Sequence, residues 1–291
     1  MDIGLHALGI GNGARREVID AVARGAEARG FSTLWAGEHV VMVDDGASRY
    51  PYTDDGRIAV PAEADWLDPM IALSFAGAAT STIRLATGVL LLPEHSPVVV
   101  AKQAASLDRL SGGRLSLGVG AGWSREEFEA LGVPFRRRGA RLEAYVDAMR
   151  TLWRDDVAGF HSEFVDFSGI RVNPKPVFGD RLPVVIGGNS DTALDRVARI
   201  GDGWYGFNLE DVGHVAERVS FLRERCERAG REVARLRLSV ALRSPAPADL
   251  PRLSALGIDE LVIVDGPPES LADVDSWLDA LAGRWMMPSG R

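Results

Sequence analysis

Residues 81–123 decide the fold. They read Ser81-Thr-Ile-Arg-Leu-Ala-Thr-Gly-Val-Leu-Leu-Leu-Pro-Glu-His-Ser-Pro97, continue as Ala101-Lys-Gln-Ala-Ala-Ser-Leu-Asp-Arg-Leu-Ser-Gly-Gly-Arg-Leu115, and end in Gly118-Val-Gly-Ala-Gly-Trp123. Two apolar runs of strand character bracket one amphipathic helix, and each run ends in small residues. The pattern is a strand–helix–strand unit with permissive backbone at the carboxyl ends of its strands. Open and closed α/β folds hold their ligands there.

Outward from this unit the alternation continues. Toward the N-terminus, strands are predicted over 3–8 and 31–36, with a helix over 15–29 whose apolar face is Val18, Val22 and Ala26 and whose stop is Gly30. A helix over 67–80 leads into a third strand over 83–91. A helix over 98–110 and a strand over 114–120 follow, then helices near 126–131 and 138–153. Residues 155–182 break the pattern and read as an insertion carrying a short hairpin. Beyond it come strands over 183–187, 203–207, 236–242 and 260–264, with helices over 191–200, 212–229, 250–256 and 271–281. Eight units predict an α/β fold, a (β/α)8 TIM barrel with an insertion between strands 4 and 5. Residues 1–291 read as one domain. The rival, an open doubly wound sheet, would carry a phosphate-binding glycine fingerprint after the first strand. Gly9-Ile10-Gly11-Asn12-Gly13 lacks that spacing and reads as a turn.

Composition narrows the function. Of 291 residues, 46% are apolar, and the net charge is −8. An acidic chain is poorly suited to nucleic acid or an anionic membrane surface. No apolar run nears the ~20 residues that span a bilayer, and the first residues lack a signal peptide's basic region. A cytoplasmic protein is expected. Cys226 is the only cysteine and falls on a helical apolar face with Val219 and Leu222, so it reads as core. Five scattered histidines give no metal-ligand spacing. No Gly-x-Ser-x-Gly nucleophile elbow occurs.

Several positions carry chemistry. His39 follows the second strand, where a barrel places catalytic groups, and imidazole exchanges a proton near neutral pH. Its neighbour Glu38 is a candidate to set the tautomer or raise the pKa. In Pro183-Val-Val-Ile-Gly-Gly-Asn-Ser190, two glycines before a helix allow close approach of a phosphate, and Ser190 can cap that helix. Asp191 must then point away. Arg136, Arg137, Arg138 and Arg141 form one local basic cluster, and residues 40–66 form a loop long enough to serve as a lid. Trp285-Met286-Met287 is a candidate interface segment.

These motifs occur in the order of the luciferase-like monooxygenase family. Trp-x-x-Glu-His at 35–39, Thr-Gly-Val-Leu at 87–90, the Ala-Lys-Gln to Gly-Gly-Arg-Leu helix, Gly-Val-Gly-x-Gly-Trp, Pro-Val-Val-Ile-Gly-Gly-Asn-Ser and Gly-Asp-Gly-Trp all resemble it. The nearer likeness is to its coenzyme F420 (deazaflavin)-dependent oxidoreductases. The resemblance implies hydride transfer to or from a small organic substrate. It implies His39 as acid/base, helped by Glu38. It also implies a cis peptide at Gly88–Val89 backing the ring, and room for the ring or ribityl chain at Gly120, Gly122 and Trp123. Gly187, Gly188, Asn189 and Ser190 would cradle the phosphate, and the arginine cluster would meet an acidic tail. Some deazaflavin dehydrogenases of the family carry a glutamate where this chain has Trp123, so that acid is not carried over. Glu126 is nearby but is not favoured as its replacement. His95 is a further site candidate, whereas Lys102, Asp108 and Arg114 read as structural. The alternatives are an FMN-dependent monooxygenase using dioxygen with a flavin reductase partner, or a non-catalytic flavin-binding protein. A homodimer is expected.

Overall fold

A computed structural model describes residues 1–44 and 46–286. Eight parallel strands close into a barrel: β1 (Asp2–Leu8), β2 (Thr33–Ala36), β3 (Arg84–Thr87), β4 (Leu115–Val119), β7 (Val184–Gly187), β8 (Gly203–Leu209), β9 (Arg237–Leu242) and β10 (Glu260–Val264). β1 closes the ring by pairing with both β10 and β2. β5 (Ala158–His161) and β6 (Asp166–Ile170) form the antiparallel hairpin of the insertion, between β4 and β7.

The main helices around the ring are α1 (Arg16–Ala28), α2 (Pro69–Ala79), α3 (Pro97–Ser111), α5 (Arg138–Arg154), α6 (Asp191–Ile200), α7 (Val212–Arg228), α8 (Leu250–Ala255) and α9 (Val274–Trp285). A short α4 (Arg125–Ala130) follows β4 at the barrel mouth. Their ends obey local chemistry. Asp68, Ser124, Ser190 and Asp211 each accept a backbone N–H at a helix start, and left-handed Gly112 ends α3.

Two apolar layers hold the fold. The larger lies between strands and helices, and Cys226 is buried within it. The smaller fills the barrel interior, where Trp35 stacks on Tyr205 (4.4 Å between ring centroids) among Ala86, Val185, Ala241 and Val262. Two large rings set against four small side chains make the interior solid rather than a pore. Trp285 is buried in the outer layer with Met286 against it, so these two face inward rather than toward a partner; Met287 lies outside the described residues.

One expected strand is shorter than predicted. Residues 83–91 were expected to run as a unit, but β3 ends at Thr87. The Gly88–Val89 peptide is cis, Leu90 keeps only an isolated bridge to Val119, and residues Leu92–Glu94 form a 3-10 turn. Continuous apolarity here records burial on several sides rather than extended backbone. Among the described residues, no helix is long and apolar enough to cross a membrane.

Candidate active site

The carboxyl ends of the strands open into a cavity of about 520 Å³. Its floor is His6, Gly88, Val89 and Tyr205, and Gly187, Gly188 and Trp123 form part of the wall. The loop over residues 40–66 lies across it. Tyr50 meets Trp123 edge-on (5.2 Å), Tyr52 meets Tyr50 (5.3 Å) and Phe207 (5.5 Å), and Trp66 donates to the Gly37 carbonyl (3.0 Å). Asn208 donates to the Tyr52 carbonyl at 2.6 Å and Arg243 pairs with Asp54 at 3.2 Å, tying the loop to the ends of β8 and β9. Thus the long loop is an aromatic cover.

His39 stands at the rim, between this cavity and a second, more polar one of about 350 Å³ under the same loop. Its Nδ1 lies 2.8 Å from Glu127 Oε2, and the Trp123 indole N–H points at its Nε2 from 3.4 Å. The other Glu127 oxygen accepts from the amides of Val40 (2.7 Å) and Val41 (3.3 Å). The carboxylate is fully buried and therefore firmly placed. With Nδ1–H donating to Glu127, Nε2 carries the lone pair that meets the indole.

Glu38 does not serve as the expected partner of His39. Its oxygens take the Leu91 amide (2.5 Å) and His95 Nε2 (3.0 Å). Burial opposes charge on His95, yet this contact, with Asp68 and Glu127 beyond it, raises the His95 pKa above its usual value. Nor is Glu126 bonded to His39: hydrogen bonding led by the Ser48 side chain, with the amides of Ala47 (2.7 Å) and Ser48 (3.0 Å), brings its pKa to about 2. Between the two carboxylate–imidazole pairs lies Glu94, buried, with neither oxygen bonded. Burial first, then Glu127 and Glu38, raise its pKa to about 9, so it is neutral at physiological pH.

Glu127 was missed in the sequence. Ser124-Arg-Glu-Glu127 reads as a capping box, and the Glu127 amide does donate to Ser124 Oγ (3.3 Å). The side chain reaches across to residues 39–41 instead. That long-range partner leaves no signal in local spacing.

The glycines divide into two sets. A Cβ on Gly120 would lie 2.6 Å from Val89 Cγ2, and one on Gly187 2.7 Å from Val89 Cγ1. These two residues form a notch for Val89. Gly122 (φ +78°) would strike Phe128 at 2.6 Å. Gly120 and Gly122 thus accommodate protein side chains and do not line the cavity, contrary to the expected room for a ligand. Gly187 and Gly188 do line it. Asn189 and Ser190 sit behind them. The Asn189 side chain clamps the Phe207 backbone (2.7 and 3.2 Å), and Ser190 caps α6. Asp191 turns away to Arg218 (2.7 Å).

None of the four arginines of the basic cluster lines the cavity, and three of them are engaged elsewhere. Arg137 pairs with Glu163, Arg138 donates to the Gly122 carbonyl (2.9 Å) over the Phe135 ring, and Arg141 donates to the Pro134 carbonyl (2.6 Å). Lys102 and Asp108 bind the backbone at Asn173 and Val177, and Arg114 binds carbonyls at Gly77 and Ile83. Among the described residues, no group of three or more metal-ligating side chains converges.

At its mouth the closed barrel thus joins a buried imidazole–carboxylate pair to an apolar, aromatic-capped chamber. The luciferase-like monooxygenase family model matches residues 6–249, and the chain belongs to that family of flavin- and deazaflavin-dependent oxidoreductases. An uncharacterised protein of Mycobacterium tuberculosis is 37% identical over 265 residues, covering 91% of this chain and 92% of that one. The FMNH(2)-dependent dimethylsulfone monooxygenase of Pseudomonas putida is 32% identical over 159 residues, covering 54% of this chain and 43% of that protein. The coenzyme F420-dependent tetrahydromethanopterin reductase of Methanopyrus kandleri shares the fold, with a TM-score of 0.75 over 98% of both chains at 15% identity.

Proposed function

We propose that the chain is a coenzyme F420-dependent oxidoreductase that transfers hydride to or from a small organic substrate. The observation that carries this reading is the His39–Glu127 pair at the rim of an apolar chamber. A hydride leaving or joining a carbon that bears oxygen needs a proton partner for that oxygen. His39 Nε2 is a base held in one tautomer by Glu127. The chamber's lining of aromatic and small residues, with Gly88 and Gly188 keeping its floor and wall clear of side chains, supports a tricycle there.

When bound, the deazaflavin ring supplies the two-electron chemistry. The remaining work falls to the chain. Gly88 and Val89 support the ring, and the backbone at Gly187–Gly188 meets the phosphate, with Asn189 and Ser190 holding that turn in shape. In substrate oxidation, Nε2 takes the hydroxyl proton as the carbon loses hydride. In reduction it returns that proton. Tyr50, Tyr52 and Trp66 exclude water. The cofactor named for the structural neighbour supports the choice of F420.

A second reading, an FMN-dependent monooxygenase, is favoured by the sequence match to the FMNH(2)-dependent enzyme. It would draw reduced flavin from a partner reductase and consume dioxygen. Ile71 and Phe75 on α2 and Val99 on α3 are exposed, which supports pairing of two copies through these helices. Separate titrations with oxidised F420 and with FMN test the reading. F420 binding, with turnover abolished in His39→Ala, is expected. Micromolar affinity for FMN alone would reverse the cofactor, and binding of neither would overturn the proposal.

A further inference from the structure

We infer that His6 presents an N–H donor from the cavity floor to a carbonyl oxygen of the cofactor ring, with Tyr205 fixing the tautomer. This rests on the functional reading above. His6 is on β1 and Tyr205 on β8, and both side chains line the cavity. His6 Nδ1 lies 3.1 Å from the Tyr205 hydroxyl, which is the phenol's only hydrogen bond among the described residues.

Both groups stay uncharged. Burial brings the His6 pKa to about 4. Burial, followed by the Glu260 carboxylate, pushes Tyr205 well above its usual value. Two neutral arrangements remain. If Nδ1–H donated to the phenol oxygen, the hydroxyl proton would be buried without an acceptor. If the hydroxyl donates to Nδ1, the buried phenol proton has its acceptor and Nε2 carries the one hydrogen left for a ligand. The second arrangement follows.

The surroundings leave that N–H open. Nε2 makes no hydrogen bond among the described residues, and it is open to the cavity rather than sealed in the core. A Cβ on Gly37 would lie 3.2 Å from Nε2, and one on Gly88 would lie 3.2 Å from the adjacent ring carbon Cε1. Glycine at both positions keeps side chains off the imidazole edge, immediately beside the Gly88–Val89 wall proposed to support the ring. The acceptor that suits a fixed, neutral donor there is a pyrimidinedione carbonyl, which flavins and deazaflavins share. An imidazolium would bind any anion, whereas a neutral N–H selects an acceptor by direction.

Equilibrium titration of the full chain with F420 and with FMN, read by fluorescence and the absorption band of bound cofactor, tests this. For whichever cofactor the unaltered chain binds, His6→Phe weakens affinity about three- to tenfold and shifts the band. His6→Gln, whose amide N–H can occupy the place of Nε2, stays within about twofold. Tyr205→Phe falls between them, because the imidazole is then free to exchange tautomers. Equal affinity for His6→Phe and the unaltered chain overturns the inference, as does His6→Gln binding as weakly as His6→Phe. Should His6→Phe fail to fold, Tyr205→Phe decides, and unchanged affinity and spectrum there overturn the inference. Binding of neither cofactor by the unaltered chain overturns the functional reading together with this one.

Discussion

The two ends of the barrel treat buried charge in opposite ways. At the amino-terminal end each carboxylate has partners. Glu260 accepts from Ser32 Oγ (2.6 Å) and Ser239 Oγ (2.8 Å), with Arg84 and Arg237 within 3.9 and 3.7 Å. Asp2 takes the same two guanidinium groups at 2.6 and 2.8 Å. At the mouth, Glu38 and Glu127 each hold one imidazole, and Glu94 between them has no hydrogen bond. The first arrangement secures the barrel's closure. The second leaves groups able to change protonation, as expected where an active face departs from the rules that stabilise the rest.

The sharpest way to break this contrast is His39→Ala. Turnover is expected to fall about 10²–10⁴-fold, with cofactor affinity within about threefold, because the imidazole meets the substrate rather than the ring. Single-turnover cofactor reduction beside a binding titration measures both. Unchanged turnover would remove the mouth's claim to be the active face. Glu260→Ala makes the complementary change. It strands Ser32 and Ser239 and takes the buried carboxylate from two arginines, costing about 3 kcal/mol by denaturant unfolding. Turnover per folded molecule should hold. A loss of activity without a loss of stability would mean that the two ends are not divided as described.

This division was only half visible in the sequence. The eight units and the insertion were legible because hydrophobic periodicity reports burial, and burial follows from the barrel. The place of His39 at the barrel mouth was legible because it follows a strand. Its partner was not. Glu127 sits 88 positions away and looks locally like a helix cap. Gly120 and Gly122 were read as space for a ligand, yet a glycine states only that something comes close. Here Val89 and Phe128 do so. Likewise, arginine spacing around 136–141 could not show that a carboxylate, carbonyls and aromatic rings already hold Arg137, Arg138 and Arg141.

The Val89 notch sharpens the contrast on a smaller scale. Gly120→Ala forces a methyl against Val89 Cγ2, with an expected cost of about 1–3 kcal/mol and weaker cofactor binding as Val89 moves. Val89→Ala in the same chain should restore most of the stability. A double-mutant cycle with no coupling between the two positions would show that the notch does not hold Val89 in place.

The smallest expected effect comes from Glu94, and it tests whether the crowding at the mouth is electrostatic. Its folded pKa, about 9, lies above the ordinary value of 4.5. A carboxyl of this kind binds its proton more tightly in the folded chain. Its contribution to stability is therefore complete below about pH 4.5 and is lost as pH rises through about 9. Glu94→Gln keeps the shape and removes the titration. Between pH 7 and 9.5 the unaltered chain should lose about 2–4 °C more in Tm than the variant does. Measuring both melting curves in the same buffers cancels the other groups that titrate there, so only the difference counts. Parallel curves would mean that neither burial nor the charges of Glu127 and Glu38 hold this carboxyl protonated. The mouth would then be no more charge-strained than the amino-terminal end, where Glu260 shares its site with two arginines.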